Sequence, residues 1–337
     1  MQIKSSKLLP VWLMLLTFLA VPMAAADVSK RPDVQEFIDQ MVKEHQFDRD
    51  YLVKVFKKVK TNPKIIEAIS RPAEAKPWHE YRPIFLTDDR IREGVKFWRR
   101  NAHHLQRAYE TYGVAPEMIV AIIGVETKYG KYKGKYPVMN SLTTLGFDYP
   151  KRAKFFKKEL EEFLLLAREE KTDPMSIKGS YAGAMGKPQF ISSSYRRYAV
   201  DFDGDGKRDI LNSTVDAIGS VANYFAEHQW YKDEPVTAPA QVDGAEYQSI
   251  VAKGIKPYIE LGELLKNGVS IEEKKSPSLL TSLIELELKK GHEYWVAFNN
   301  FYVITRYNHS ELYAMAAYQL AQEIKRFRFV GPRKKSR

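Results

Sequence analysis

The run Ile119-Val-Ala-Ile-Ile-Gly-Val-Glu126-Thr-Lys-Tyr-Gly130 places a carboxylate at the end of seven apolar residues. Pro116 and Gly130 bracket a helix over 116–129, with proline in the first turn and glycine just past the end. On that helix Glu126 follows Ile122 and Ile123 by one turn and Ile119 by two, so it falls on the apolar face. Desolvation disfavours the charged carboxylate, which raises its pKa and keeps it protonated near neutrality, as a general acid requires. Spacing alone leaves a second reading open, in which Glu126 turns outward or pairs with Lys128 or Lys131.

Helical periodicity surrounds this run. Val34 to Lys60 reads as two short amphipathic helices around Asp48, and Asp89 to Tyr112 as one long helix. Arg152 to Lys171 carries Phe155, Phe156, Leu160, Phe163 and Leu164 on one stripe, and a further helix spans Thr214 to Gln229. After Trp230 the pattern changes. Leu283 to Leu288 and Tyr294 to Thr305, around a turn at Lys289-Lys-Gly-His292, predict a β-hairpin, and Ser310 to Phe327 predicts a last helix packed back on the core. The chain is therefore expected to be mainly α. Its parts are residues 1–26, an N-terminal helical segment 27–80, a helical core 81–230, a small mixed α/β insertion 231–300, and a returning segment 301–337 with a basic tail.

Residues 1–26 have the features of a secretory signal peptide: Lys4 and Lys7, an apolar run from Leu8 to Val21, and Ala24-Ala25-Ala26 as a cleavage site. The apolar run is short for a bilayer span. No cysteine occurs, so disulfides and an acylated N-terminal cysteine are excluded. The expected protein is periplasmic, a monomer, neither a lipoprotein nor integral to the membrane. The net charge of +11, or +9 without the two leader lysines, suits an acidic polymer. Nucleic acid has no motif behind it and is not expected as a partner.

Gly179-Ser180-Tyr-Ala-Gly-Ala-Met-Gly-Lys-Pro-Gln189-Phe190 brings four small residues, Ala182, Gly183, Ala184 and Gly186, within five positions. Such a run lets a flat ligand or a second helix approach the backbone closely, and Ser180, Gln189 and Tyr195 offer neutral hydrogen-bonding groups. Neither a phosphate loop nor a zinc motif is present. Asp201-Phe-Asp203-Gly-Asp205-Gly206-Lys207-Arg-Asp209 reproduces the first nine positions of an EF-hand loop: oxygens at 1, 3 and 5, glycine at 6, the Lys207 carbonyl at 7 and an acid at 9. The bidentate glutamate of position 12 is replaced by Asn212, which predicts weak affinity.

Together GVETKYGKYKGK, DYPKRAKFFKKELEEFL, GSYAGAMGKPQF, VDAIGSVANYF and ITRYNHSELYAMA resemble the membrane-bound lytic transglycosylase B family of peptidoglycan-cleaving enzymes, over roughly residues 47–320. The resemblance implies a lysozyme-like helical core with a helical N-terminal domain and a small β-containing insertion. It also implies cleavage of the MurNAc-β-1,4-GlcNAc bond with a 1,6-anhydro end. Glu126 would be the single acid and then base, with no cofactor for the chemistry. Ser180, Gln189 and Phe190 fall on groove positions, Tyr307 and Asn308 on the pair that orients the sugar, and Tyr81, Tyr224 and Tyr313 on aromatic positions of the cleft. Asp216 would close a structural calcium site on loop 201–216. Peptidoglycan strands are the implied partner, and other cell-wall enzymes are candidate partners. This chain departs from the family pattern in Lys187-Pro188 ahead of Gln189, Tyr181 for the usual Phe, and Lys128-Tyr129 after the Glu-Thr pair. Two rivals stay open: a hydrolytic muramidase using Asp148, Glu159 or Asp173 as second carboxylate, and a non-catalytic peptidoglycan-binding protein.

Overall fold

The computed structural model describes residues 27–70 and 76–331; the leader, 71–75 and the basic end 332–337 lie outside the described residues. The chain begins with α1 (Pro32–His45), α2 (Arg49–Lys58), α3 (Pro63–Ile69) and α4 (Trp78–Phe85). Asp48 caps α2 by accepting from Tyr51 N, as its place between two amphipathic runs predicts. Next come α5 (Asp88–Arg100), α6 (Ala102–Tyr112) and α7 (Pro116–Thr127). The single long helix expected over 89–112 is broken at Asn101, whose Nδ2 and backbone N both donate to Phe97 O, ending α5 and starting α6. A local side-chain bond competes with the helix there, which apolar spacing does not reveal.

Strand β1 (Tyr136–Pro137), α8 (Val138–Asp148), α9 (Ala153–Glu169) and β2 (Lys178–Gly179) follow, with β1 and β2 antiparallel. On α9, Phe156, Leu160, Phe163 and Leu164 are buried as predicted, whereas Phe155 is exposed under the Arg152 guanidinium. Then come α10 (Ser192–Tyr198), α11 (Thr214–Glu227), β3 (Thr237–Val242), α12 (Glu246–Val251), β4 (Ile259–Glu260), α13 (Leu261–Lys266), β5 (Val269–Ile271), β6 (Leu280–Glu287), β7 (His292–Ala297), α14 (Asn299–Tyr307) and α15 (Glu311–Phe329).

The five strands β4-β6-β7-β3-β5 form an antiparallel sheet. The hairpin is present, but its second strand ends at Ala297 and residues 299–307 are helical. The fully buried Asn300 turns the chain there: its amide accepts from Tyr231 N and donates to Tyr231 O and Glu234 O. Strand alternation sorts side chains onto two faces. Ile284, Leu286, Trp295 and Ala297 pack on the main helical core, while Leu283, Val296 and Ala238 pack with Ile250, Leu261 and Leu264 in a second cluster.

At the centre runs α7, packed against α5, α6, α11 and α15. Met118 to Gly124 are buried all round, so this helix has no solvent stripe until its last turn. Its end is unusual: Lys128 (φ 49°) and Tyr129 (φ 62°) are both left-handed, ahead of Gly130 (φ 88°). Lys128 is held by an ion pair to Asp89 (2.5 Å), and Tyr129 Oη donates to Arg90 O at 2.8 Å. The Tyr129 ring fits because Gly124 has no side chain: a Cβ there would meet Tyr129 Oη at 2.6 Å. Gly124→Ala gains about 1 kcal/mol of helix propensity but overpacks a buried ring at about 1–3 kcal/mol. A net loss of stability with a lower melting temperature is expected in thermal denaturation; an unchanged or raised midpoint would show that Tyr129 shifts without cost.

Candidate active site

Glu126 lies in the last turn of α7, where the apolar helix first meets a partly open surface. Neither lysine of the outward-turned reading reaches it. Lys128 pairs with Asp89, and Lys131 with Glu93 at 3.7 Å. Among the described residues its one hydrogen-bond partner is Tyr313, at the start of α15, whose Oη donates to Glu126 Oε1 at 2.6 Å. The carboxyl keeps some surface while protein crowds it on its other sides. Burial pushes it up to about 7; the Tyr313 hydrogen bond favours the carboxylate and only partly opposes this.

Tyr313 is 3 % exposed, and Ser310 caps its helix by accepting from Tyr313 N, which fixes the ring at the N-terminus of α15. Tyr307, at the end of α14, donates through Oη to Pro188 O at 2.5 Å. Burial first, and then the Glu126 charge, pushes both phenols far up, so both remain protonated donors. Tyr81, on α4, is buried against Phe85 and is also felt by the Tyr313 phenol. Glu126, Tyr313, Tyr307 and Tyr81, from four different helices, therefore share one locality.

The 179–190 segment is not a helix crossing. It is a looped extension of β2, with bridges pairing Met185 to Gly179 and to Phe190. Gly183 (φ 84°) is required there because a Cβ would strike Leu142 at 2.6 Å. Ser180 Oγ accepts from Ala182 N and Ala184 N at 3.2 and 3.0 Å, so it braces this loop. Gln189 is left-handed (φ 53°) and donates from Nε2 to Gly186 O at 2.9 Å and to Lys133 O at 3.3 Å. Phe190 (2 % exposed) and Tyr224 (7 %) sit behind the site: their rings pack on each other and on Tyr307, and Tyr224 Oη donates to Arg306 O. Asn308 ends α14 half-buried, and its side-chain amide has no hydrogen-bond partner among the described residues.

Three residues to which sequence reading gave no role act as anchors. Thr127, 1 % exposed, donates to Ile123 O and Lys187 O and accepts from Gly130 N, stitching the end of α7 to the loop before Gln189. Tyr129 plugs the far side of α7. Lys187 is 9 % exposed and donates to Asn212 O; burial, and then nearby Lys133, lowers its ammonium to about 8. The Lys187-Pro188 departure was the available signal, but nothing in the sequence says where its ammonium goes.

The carboxylates of the rival reading are engaged elsewhere. Asp148 is bound by Arg31 at 2.5 Å, buried Glu159 accepts from Ser193 N and Oγ, and Asp173 accepts from Met175 N. A cavity of about 1000 Å³ between the end of α9 and loop 206–212 does not include Glu126. Carboxylate oxygens of Asp201, Asp203 and Asp205 lie within 4.8 Å of one another, with Gly206 left-handed at φ 86°. Fully buried Asp216 accepts from Phe202 N, Asp203 N and Asp209 N, while Asp209 accepts from Leu211 N and Asn212 N. Lys207 N donates to Asp205. The first three acids thus fit a hard cation, and Asp216 and Asp209 brace the loop from below.

The model of the transglycosylase SLT domain matches residues 29–322. The membrane-bound lytic murein transglycosylase B of Escherichia coli K12 is 43% identical over 310 residues, covering 88% of this chain and 84% of that protein. The lytic transglycosylase SltB1 of Pseudomonas aeruginosa superposes with a TM-score of 0.86 at 51% identity, covering 90% of this chain and all of the other. The Escherichia coli lytic transglycosylase Slt35 in complex with calcium gives 0.80 at 42%, covering 90% and 95%. SltB3 of Pseudomonas aeruginosa in complex with NAG-anhNAM-pentapeptide gives 0.77 at 32%, covering 86% and 78%. The mainly helical, lysozyme-like fold and the buried carboxyl belong together: this chain is a member of the SLT-domain family of peptidoglycan lytic transglycosylases.

Proposed function

We propose that this enzyme cleaves the MurNAc-β-1,4-GlcNAc bond with Glu126 acting first as acid and then as base. The carrying observation is a lone carboxyl, raised to about 7, with Tyr313 as its one hydrogen-bond partner among the described residues. Protonated Glu126 gives its proton to the glycosidic oxygen as the bond from that oxygen to muramic C1 breaks. The resulting carboxylate, steadied by Tyr313 Oη, takes the proton of the muramic 6-hydroxyl as O6 bonds to C1. The proton returns to Glu126, no water is consumed, and a 1,6-anhydro end results. The complex of SltB3 with NAG-anhNAM-pentapeptide supports this product. The engagement of Asp148, Glu159 and Asp173 elsewhere weighs against the hydrolytic rival.

In this reading Ser180, Gln189, Asn308, Tyr307 and Tyr81 contact the glycan or hold its groove, with Phe190 and Tyr224 supporting Tyr307 from behind. The enzyme acts in the periplasm after losing residues 1–26. Among the described residues no helix is long and apolar enough to cross a membrane. Product mass tests the chemistry: digests of purified sacculi should carry ends lacking one water relative to a reducing end, and reducing ends alone would instead support hydrolysis.

Glu126→Gln keeps the shape but supplies neither proton nor base. Turnover should fall by at least about 10²–10⁴ with glycan binding retained; turnover within a few-fold of the parent would move the chemistry elsewhere.

Activity should decline about tenfold per pH unit above about 7, where the acid is lost. Tyr313→Phe removes the bond that favours the carboxylate, so it should move that limb to higher pH. Stability follows the same linkage. Between 4.5 and about 7 the folded protein holds a proton that the unfolded chain has released, so stability drops as pH rises through this window. Glu126→Gln should therefore melt higher than the parent at pH 8 and not at pH 5, and a pH-independent difference would contradict the buried acid.

The loop of Asp201, Asp203 and Asp205, with the Lys207 carbonyl, Asp209 and Asp216, is proposed to hold a structural calcium ion. When bound, the ion would offset most of the negative charge of the three acids and so stabilise the loop. Calcium at millimolar concentration should raise the melting temperature, and Asp203→Ala with Asp205→Ala should remove that gain. Equal midpoints with calcium and with chelator would leave a solvated acidic turn.

A further inference from the structure

Lys187 stands at a junction of the structure. Its ammonium donates to Asn212 O, and its backbone N donates to Ile210 O at 3.1 Å. Its carbonyl accepts from Thr127 Oγ1 at 2.9 Å, one residue past Glu126. Its aliphatic stem lies along Gly130, where a Cβ would stand 3.3 Å from Lys187 Cε. One residue on, Pro188 O receives the Tyr307 hydroxyl; the next is left-handed Gln189. The segment 187–189 therefore touches the end of α7, the end of α14 and the 210–212 turn of the acidic loop.

A buried ammonium with no ion pair is costly to keep. Among the described residues its one hydrogen-bond acceptor is a main-chain carbonyl, and Asp209 and buried Asp216, which favour its charge, do not pair with it directly. The geometry accounts for it differently. Gln189 must hold a left-handed conformation beside the site, and a short loop does so only when its neighbours over-determine it. Lys187 supplies anchors on two sides.

We propose that Lys187 is a positioning residue: by fastening segment 187–189 between Thr127 and Asn212, it sets the distance between the Glu126 carboxyl and the Gln189 and Tyr307 side of the site. This rests on the assignment of Glu126 as the acid. Misplacement of such groups by about 1 Å costs about 10²-fold in rate, while a glycan spanning many contacts loses little affinity.

Steady-state kinetics on soluble glycan strands test it. Lys187→Met retains the stem over Gly130 and loses only the ammonium. It should lower kcat about tenfold to a hundredfold with KM within about threefold of the parent, and Lys187→Arg should restore part of the loss. Thr127→Val breaks the other anchor of the same segment, so the double variant should lose no more than about the worse single variant. Binding of uncleaved strands to Glu126→Gln with Lys187→Met should match Glu126→Gln alone, which separates positioning from unfolding. Full kcat in Lys187→Met, multiplicative losses in the double variant, or a matching loss of strand binding would each overturn the proposal. If Glu126→Gln itself retained turnover, the assignment of the acid would fail instead.

Discussion

A carboxyl group held out of water with one phenol as hydrogen-bond partner is the constraint on which this molecule depends. Moving an ionised carboxylate into such a place is unfavourable, and the group answers by keeping its proton up to about pH 7. The surrounding helices impose that condition. α7 is apolar on every side along most of its length, so it can be buried only by a full collar, supplied by α5, α6, α11 and α15. Glu126 stands where the collar opens.

Holding the carboxyl at that opening requires the helix to stop immediately after it. Two successive left-handed residues do so, and neither is glycine at a place where glycine would be the usual choice. Each is held by its own side chain: Lys128 by Asp89, and Tyr129 by Arg90 O and the hollow left by Gly124 and Gly94. Thr127 then carries the same stop across to Lys187. The end of α7 is fixed from α5 on one side and from the 187–189 loop on the other.

Much of this was legible in the sequence because burial leaves a periodic trace. The helices around Asp48, from Pro116 and at Ser310 show in their apolar spacing and caps, although the helix expected over 116–129 stops at Thr127, and five motifs in order point to the family. Local competition was not legible. Asn101 divides a continuous amphipathic pattern by bonding Phe97 O, and Asn300 makes a helix from residues that alternate as a strand would. Nor could spacing decide where Glu126 turns, because the answer lies with Asp89 and Glu93, far from it in sequence. Nor was the bracing by Ser180 and Asp216 legible, because their side-chain oxygens accept from main-chain N–H groups that only the folded loops bring to them.

The placement of charge follows from the same constraint. The chain carries a net +11, and two lysines fall within five residues of its acid. A cation within about 4–6 Å of a carboxyl lowers its pKa by about 1–3, which would leave Glu126 ionised at neutrality and unable to protonate a leaving oxygen. The acids on α5 prevent this: Asp89 takes Lys128 and Glu93 takes Lys131, drawing both ammonium groups to the outer side of the collar. Lys128 in turn lowers the pKa of Asp89 by hydrogen bond and charge. The groups that remain near Glu126 are phenols, which donate hydrogen bonds without adding charge. A basic surface suited to an anionic wall and a neutral site suited to a protonated carboxyl can therefore coexist, because α5 keeps the charges of one from reaching the other.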